Sequence, residues 1–246
     1  MSDSSYIYQE KYLRAKELNA ATSDPEKNPF KSKYEARNLL QNIREDVHKL
    51  REDRDGDVIL SSAEAAVEYL IAVNFINTEE VSAGQEILNH IIEVSDGKLE
   101  KDPRFVSTII AVNNELGLLW SSREEGINKA YEHLTKAEQL YQDFVKNSDE
   151  TPLCIDDHFV SDVTDRKQAF ESLHTNTLYY LAQAHKALGN NDESALFCKK
   201  TLQRQLEMKT LVPLEWAVNC ACLSQYYITM NMFSEAKHCL ACANFV

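Results

Sequence analysis

Residues 223–243 read LSQYYITMNMFSEAKHCLACA. Leu223 is followed at once by the small Ser224 and, three residues later, by the aromatic Tyr227. After a short turn at Asn231, small and apolar residues return at helical spacing, at Ala236, Leu240 and Ala243. Two closely packed helices need a small side chain where they cross, and an aromatic ring fills the space beside it. The stretch therefore predicts two antiparallel helices joined by a tight turn.

Three further copies of this pattern precede it along the chain. They are Leu181-Ala182, His185, Ser194, Cys198 and Thr201; Leu116-Gly117, Trp120, Ala130, Leu134 and Ala137, with one residue added at the turn; and a weaker copy, Leu70, Asn74, Ala83 and Ile87. Helix pairs repeated in this way are typical of tetratricopeptide (TPR) arrays. The sequence therefore predicts an all-α fold, a TPR-like right-handed α-solenoid of antiparallel helix pairs.

The repeats predict a single helical domain over residues 1–246. Residues 1–60 are expected to form N-terminal helices, 61–146 the first two helix pairs and 167–246 two further pairs. Between them, 147–166 is polar, contains Pro152 and shows no clear period, which indicates a loop or a poorly formed helix. Only six Gly and five Pro occur in the chain, and this scarcity of turn residues favours helices over a sheet.

The formal net charge of −13 bears on the kind of partner. Nucleic acids and acidic membranes need a basic patch, so neither is expected to bind. A basic protein surface is the natural complement, although the charge could equally serve solubility alone. No run of about 18 apolar residues and no signal peptide is evident, which predicts a cytoplasmic protein without a membrane span. In that compartment the six cysteines are expected to be reduced thiols.

Two close pairs of cysteines raise the possibility of a zinc site. The residues are Cys220, Cys222, His238, Cys239 and Cys242. Both pairs fall on predicted helices, where residues two apart point in nearly opposite directions, so core cysteines are the better interpretation. The sequence shows no serine elbow, no catalytic cysteine setting and no glycine-rich phosphate loop. We therefore expect no metal, no cofactor and no enzymatic activity.

Several long phrases resemble the KIF-binding proteins, TPR-containing regulators of kinesin motors. The phrases are NPFKSKYEARNLL from Asn28, VNFINTEEVSAGQEIL from Val73, NNELGLLWSSREE from Asn113, NTLYYLAQAHKALGN from Asn176, TLQRQLE from Thr201 and PLEWAVNCACLSQYYI from Pro213. They cover most of the chain and are more specific than repeat consensus. The resemblance is to the N-terminal part of these proteins. Members of the family are much longer, so we expect this chain to be a fragment of a longer solenoid or a short form.

The resemblance implies a non-catalytic scaffold that grips kinesin motor domains and keeps them off microtubules. Such an activity would regulate microtubule-based transport of axonal cargo and organelles, and it would place the protein in the cytoplasm in association with the cytoskeleton. A motor must use a basic face to hold acidic tubulin, so an acidic scaffold can compete for that face. By the same reasoning, the chain is not expected to bind microtubules directly.

The first helix of a TPR pair lines the concave side, which places its exposed positions in the binding groove. These positions include Asn114, Asn176, Tyr179, Gln183 and Gln225, with Glu68 and Ser121 also on this side. Matching the motor-contacting polar positions of the family onto LYYLAQ and TLQRQLE adds Tyr180 and Gln205 and again selects Gln183. Tyr180 could instead be a packing residue, and the glutamines could simply be solvated.

Other binding functions fit the sequence less well than kinesin binding. A generic TPR adaptor for short peptides, such as chaperone tails, needs Lys, Arg and Asn to clamp a carboxylate. The predicted groove offers Tyr, Gln, Asn and Glu instead. A phosphopeptide-binding helical dimer would need an Arg-Lys cluster on inner helix faces, which the sequence does not show. A helical enzyme ranks last.

Overall fold

The computed structural model describes residues 4–21, 28–54, 56–95, 99–160, 165–208 and 212–245. All regular structure in these residues is helical, with short 3-10 turns at Leu99–Lys101 and Ile155–His158. The α-helices are α1 (Ser4–Ala20), α2 (Lys31–Asp53), α3 (Val58–Asn77), α4 (Val81–Val94), α5 (Val106–Ser121), α6 (Ile127–Asn147), α7 (Arg166–Ala187), α8 (Asn191–Met208), α9 (Pro213–Thr229) and α10 (Phe233–Phe245). The predicted all-α class is confirmed.

The chain divides into two compact units. Unit 1 comprises Met1–Leu116 and Leu140–Phe170, and unit 2 comprises Gly117–Gln139 and Glu171–Val246. The predicted single domain over 1–246, with its subdivisions, stays a prediction.

Four helix pairs turn through a residue with left-handed backbone geometry. The residues are Glu79 (φ 67), Glu125 (φ 61), Gly189 (φ 80) and Asn231 (φ 57), between α3–α4, α5–α6, α7–α8 and α9–α10 respectively. A left-handed residue at this position ends a helix and lets the chain reverse. The four predicted repeats thus share one turn geometry, which glycine adopts with the least strain and asparagine tolerates better than most residues. Gly189 and Asn231 therefore indicate the turn in the sequence, whereas Glu79 and Glu125 do not.

Replacing Glu125 by glycine should stabilise the protein. A non-glycine residue in the left-handed region is strained by about 1–2 kcal/mol, of which glycine's greater freedom in the unfolded chain offsets part. We expect Glu125→Gly to raise the free energy of unfolding by about 0.5–1 kcal/mol, measured by urea denaturation. Glu124→Gly is the control, since Glu124 is exposed in the same turn without a positive φ. A stabilisation by Glu124→Gly of the same size would contradict the strain argument.

The predicted small residues do lie at close helix crossings. At Gly117 a Cβ atom would come within 2.7 Å of the Leu134 side chain, and Ala130 and Ala137 are fully buried. His185 fills the aromatic position of its pair, stacking on Phe197 with ring centroids 5.3 Å apart. One predicted core residue is wrong, because Leu240 is 43% exposed.

The segment predicted as a loop is part of the core of unit 1. Phe159 is fully buried and stacks on Tyr12 of α1 with ring centroids 4.8 Å apart. The Tyr12 hydroxyl donates a hydrogen bond to Asp156, and Lys16 Nζ lies 2.7 Å from Asp156 Oδ2. The part of 147–166 that the structure describes therefore contains no long helix. It nevertheless holds α1 against the core of unit 1 through Phe159 and Asp156.

Helix α3 is the most apolar helix of unit 1. Within the described residues it alone is long and apolar enough, by length and composition, to cross a membrane, and half of its most apolar window is buried in the protein. From the sequence we predicted no membrane-spanning segment. A buried core helix passes the same test. Helix α3 carries the buried polar residues Ser62, Glu64 and Asn74, and Glu64 pairs with Arg51 of α2 at 2.7 Å.

Candidate functional site

The first helix of the α7–α8 pair presents a row of polar side chains. Asn176, Tyr179, Gln183 and Lys186 follow one another at intervals of three or four residues, which places them on one helix face. Asn176, Gln183 and Lys186 are exposed, and Tyr179 is half-buried. This row holds three of the residues predicted to bind a partner.

Helix α9 adds a second exposed row within unit 2. Cys222, Gln225 and Thr229 are exposed at helical spacing. Together with Lys186 and the beginning of α8 they line a cleft of about 280 Å³, so Gln225 and the last residue of the α7 row border one depression. We call the α7 row, the α9 row and this cleft the unit 2 groove.

The exposed rows of the groove carry polar side chains of which few are charged. Lys186 is the one cationic side chain among the described residues that line the cleft. The Tyr226 hydroxyl donates a 2.8 Å hydrogen bond to Asp192 Oδ1, and this bond, followed by burial, raises the pKa of Tyr226. Amides and tyrosines offer both donors and acceptors, which suits the recognition of another protein's backbone and polar side chains.

Three predicted residues lie outside the exposed groove. Tyr180 packs against the cluster of Leu134, Leu181 and Ala184, which agrees with the packing alternative for this residue. Gln205 is half-buried on the second helix of its pair, and its Oε1 atom has no hydrogen-bond partner among the described residues. Asn114 is buried in unit 1, and neither polar atom of its amide is hydrogen-bonded within the described chain. The roles of all seven predicted residues in binding stay predictions.

Unit 1 contains most of the acidic charge. Residues 51–100 hold twelve acidic and three basic residues, and we call them the acidic stretch. Exposed carboxylates in its described part are those of Glu52, Asp53, Glu79, Glu80, Glu86 and Glu93. The total charge alone does not reveal this local excess, which a count of charges along the sequence finds.

Two carboxyl groups of unit 1 are held in unfavourable surroundings. Burial raises the pKa of Glu115, while the hydrogen bond that the Tyr69 hydroxyl donates to Glu115 Oε1 at 3.5 Å lowers it by less. Burial followed by repulsion from Glu64 raises the pKa of Glu68, while His90, Arg44 and Arg51 oppose the rise. A basic side chain brought close by a partner would lower the pKa of both carboxyl groups and stabilise their charged forms.

Replacing Glu115 by glutamine should stabilise the isolated protein at neutral pH. Because the pKa of Glu115 is raised in the folded state, the wild type loses stability as pH rises from the ordinary glutamate pKa through the raised value. Glu115→Gln removes this loss, so we expect the free energy of unfolding at pH 7 to rise by about 1 kcal/mol. The difference should vanish below the ordinary glutamate pKa. Denaturation of both proteins across this pH range, with exposed Glu86→Gln as control, would measure it; a difference independent of pH would contradict it.

The cysteines of unit 2 behave as core residues. Cys220 is buried, and Cys198, Cys239 and Cys242 pack against the same cluster as Trp216 and Leu223. Burial raises the pKa of Cys198 to about 11 and that of Cys220 to about 12, so both stay as thiols. Cys222 is exposed instead. In the described ranges no three His, Cys, Asp or Glu side chains are grouped so as to hold a metal ion.

Helix pairs with small residues at their crossings and a polar row on the first helix define a helical-repeat protein of the TPR class. Its relatives are proteins named KIF-binding protein. That of Gallus gallus is 40% identical over 96% of this chain, that of Homo sapiens 37% over 91%, and that of Drosophila melanogaster 34% over 97%. Over nearly its whole length the chain is therefore similar to the KIF-binding proteins.

A solved structure and a family model agree with this similarity. The structure titled Kinesin binding protein (KBP) matches 100% of this chain with a TM-score of 0.69 and 36% identity, while the match covers 47% of that structure. The chain spans about two fifths of the length of the curated relatives, 41% of the chicken and human proteins and 42% of the fly protein. Residues 214–246 match the family model described as KIF-1 binding protein C terminal, so the expectation of a purely N-terminal correspondence is wrong for these residues.

Proposed function

We propose that this chain is a non-catalytic scaffold that binds kinesin motor domains and hinders their attachment to microtubules. The observation that carries the proposal is its similarity to KIF-binding proteins and to a solved kinesin-binding protein over nearly its whole length. On this proposal the protein works in the cytoplasm beside the cytoskeleton, where it regulates microtubule-based transport. It does not itself attach to microtubules, because both surfaces would be acidic.

The two candidate surfaces would make different contributions. The acidic stretch attracts the basic face with which a motor holds tubulin, which accelerates encounter and makes association sensitive to salt. The unit 2 groove supplies the short-range polar contacts that fix the bound orientation. A peptide adaptor that clamps a carboxylate would need several cations in the groove, and the described cleft offers Lys186.

The proposal is tested by placing positive charge in the groove. Gln183→Lys combined with Gln225→Lys should lower the affinity for a motor domain by about 10-fold or more, because both positions would repel a basic face. Gln203→Lys is the matched control, since Gln203 is an exposed glutamine on α8, the second helix of the same pair. We expect the control to change affinity less than about twofold. Equal losses in both variants would show that the groove is not the contact surface.

Competition with microtubules tests the second half of the proposal. A motor domain is pelleted with microtubules in the presence of increasing concentrations of the chain. We expect the motor to move into the supernatant in proportion to its binding by the chain, and the Gln183→Lys and Gln225→Lys variant to lose this effect. Co-pelleting of the chain together with the motor would show simultaneous binding and would refute the hindrance mechanism.

A further inference from the structure

Two of the unit 2 cysteines face the same cleft. Cys198 of α8 and Cys222 of α9 both line the cleft of about 280 Å³ that belongs to the unit 2 groove. Cys220, Cys239 and Cys242 line a different cleft, between α8 and the α9–α10 pair. Both residues of the first pair are free thiols, with Cys222 exposed and Cys198 half-buried. The two clefts therefore separate this pair of thiols from the other three.

A contact between α8 and the backbone of α9 brings the two thiols into the same turn. The Cys198 thiol donates a hydrogen bond to the Asn219 carbonyl oxygen, with 3.8 Å between Sγ and the oxygen. Asn219 lies three residues before Cys222, and residues three apart are neighbours on a helix surface. Helix carbonyls point toward the C-terminus whereas Cα–Cβ bonds tilt toward the N-terminus, so the Cys222 side chain leans back toward this carbonyl. A disulfide needs two Cα atoms within about 7 Å, and a small side chain in contact with the facing backbone indicates such an approach.

The surroundings give the two thiols different reactivities. Cys222 is exposed, which gives a peroxide direct access to its sulfur. Burial, followed by the neighbouring Cys222, raises the pKa of Cys198, while Lys186 lowers it. Cys198 is therefore shielded from the first attack but lies where it can react with an oxidised Cys222. An exposed thiol beside a second, resolving thiol is the arrangement of cysteines that form reversible disulfides.

We propose that Cys198 and Cys222 form a reversible disulfide across this cleft when the protein meets hydrogen peroxide. The Cys222 thiolate attacks one peroxide oxygen, the O–O bond breaks, and hydroxide leaves and takes up a proton to form water. The product is a sulfenic acid on Cys222. The Cys198 sulfur then attacks the Cys222 sulfur, the S–O bond breaks, and the hydroxyl group leaves as water with the proton of the Cys198 thiol. Two electrons thus pass from the two thiols to the peroxide.

The disulfide would close the cleft at the edge of the unit 2 groove. It joins α8 to α9 beside Gln225 and Tyr226, which line the same cleft. The consequence for binding rests on the proposed function. The oxidised chain should bind a motor domain about 10-fold more weakly, as expected where a contact at the centre of an interface is lost. A thiol reductant should restore the affinity.

The test is peptide mapping of the purified 246-residue chain after treatment with hydrogen peroxide. Trypsin cuts after Lys199 and Lys209, which places Cys198 and Cys222 on separate peptides. Digestion without reduction should give these two peptides joined, and dithiothreitol should separate them. Because Cys220 shares the second peptide, Cys222→Ser shows which cysteine is joined, and this variant should give no joined pair.

The matched control is Cys242→Ser, since Cys242 lines the other cleft. This variant should form the joined pair as the wild type does, and circular dichroism checks that both variants fold. Oxidation of Cys222 only to a sulfinic or sulfonic acid, without a joined pair, would overturn the proposal. A joined pair that persists in Cys222→Ser, or a disulfide between two copies of the chain, would overturn it equally.

The binding measurement is separate from the peptide map. Peroxide should weaken motor binding by the wild type and by Cys242→Ser but not by Cys222→Ser. A cross-linked chain that binds a motor domain as tightly as the reduced chain would overturn the closure of the groove. A chain that forms the disulfide but binds no motor domain in either form would refute the proposed function while supporting the disulfide.

Discussion

Replacing Arg37 by methionine should destabilise unit 1 by about 3–5 kcal/mol, because it breaks a buried charged network from one side. Arg37 Nε donates to Asn74 Oδ1 at 2.7 Å, Nη1 donates to Glu80 Oε1 at 2.8 Å, and Nη2 donates to Thr78. The guanidinium also lies 3.7 Å from the centre of the Phe75 ring. Methionine fills a similar volume but leaves Asn74 and Thr78 buried without these donors. Urea denaturation followed by circular dichroism measures the loss.

An exposed arginine provides the control for this prediction. Arg14 pairs with Glu17 at 2.9 Å, and both side chains are mostly exposed. Arg14→Met should therefore change the free energy of unfolding by less than about 0.5 kcal/mol. If Arg37→Met were as mild as Arg14→Met, the network would not hold the α3–α4 turn in solution.

The same network predicts a dependence on pH. The hydrogen bond from Arg37 lowers the pKa of Glu80, so the folded state gains stability above the ordinary glutamate pKa. This gain is lost as the pH falls through the lowered pKa. The wild type should therefore lose more stability than Arg37→Met in this acid range. A parallel pH dependence for both proteins would contradict the assigned cause.

Phe159→Ala should destabilise unit 1 by about 3–5 kcal/mol, the cost of removing a fully buried aromatic ring. The ring stacks on Tyr12 and belongs to the cluster that joins α1, α2 and α3, so its loss opens a cavity at the meeting point of three helices. We expect α1 to lose protection in hydrogen exchange before the other helices, since Phe159 and Asp156 both hold it.

The control for this prediction is an exposed phenylalanine. Phe245 is 92% exposed, so Phe245→Ala should leave the free energy of unfolding within about 0.5 kcal/mol of the wild type. Comparable losses for the two variants would mean that Phe159 leaves its buried position in solution. Uniform exchange across all helices in Phe159→Ala would show that the segment does not hold α1 specifically.

The helix pairs could be predicted from the sequence because their packing repeats. A buried flank leaves apolar residues at intervals of three and four, and a close crossing leaves a small residue such as Gly117 or Ala130. The role of Phe159 could not be predicted in this way. One ring from an irregular segment enters the core, and a single contact has no period.

The Arg37 network could not be predicted from the sequence for a different reason. A long charged residue on an amphipathic helix is normally exposed, and the sequence contains nothing at α2 that marks Arg37 as an exception. Its partners Asn74, Thr78 and Glu80 lie some forty residues away along the chain. Only the packing of α2 beside the α3–α4 turn brings the four side chains together.

The candidate site was partly predictable. Helical spacing correctly placed Asn176, Gln183 and Gln225 on exposed faces of first helices. The same rule failed for Asn114, which occupies an equivalent position on α5 but is buried. Spacing identifies the face on which a residue lies, whereas exposure depends on what covers that face. Leu240 shows the opposite failure, since a position that is covered in the repeat pattern is exposed here.

A direct titration tests the proposed binding of kinesin motor domains. The purified chain is titrated into each of a panel of isolated motor domains, with a full-length relative as the positive control. We expect a saturable complex with at least one motor, weakened by added salt and by Gln183→Lys with Gln225→Lys but not by Gln203→Lys. A folded chain that binds none of the motors held by the full-length relative would refute the proposed function.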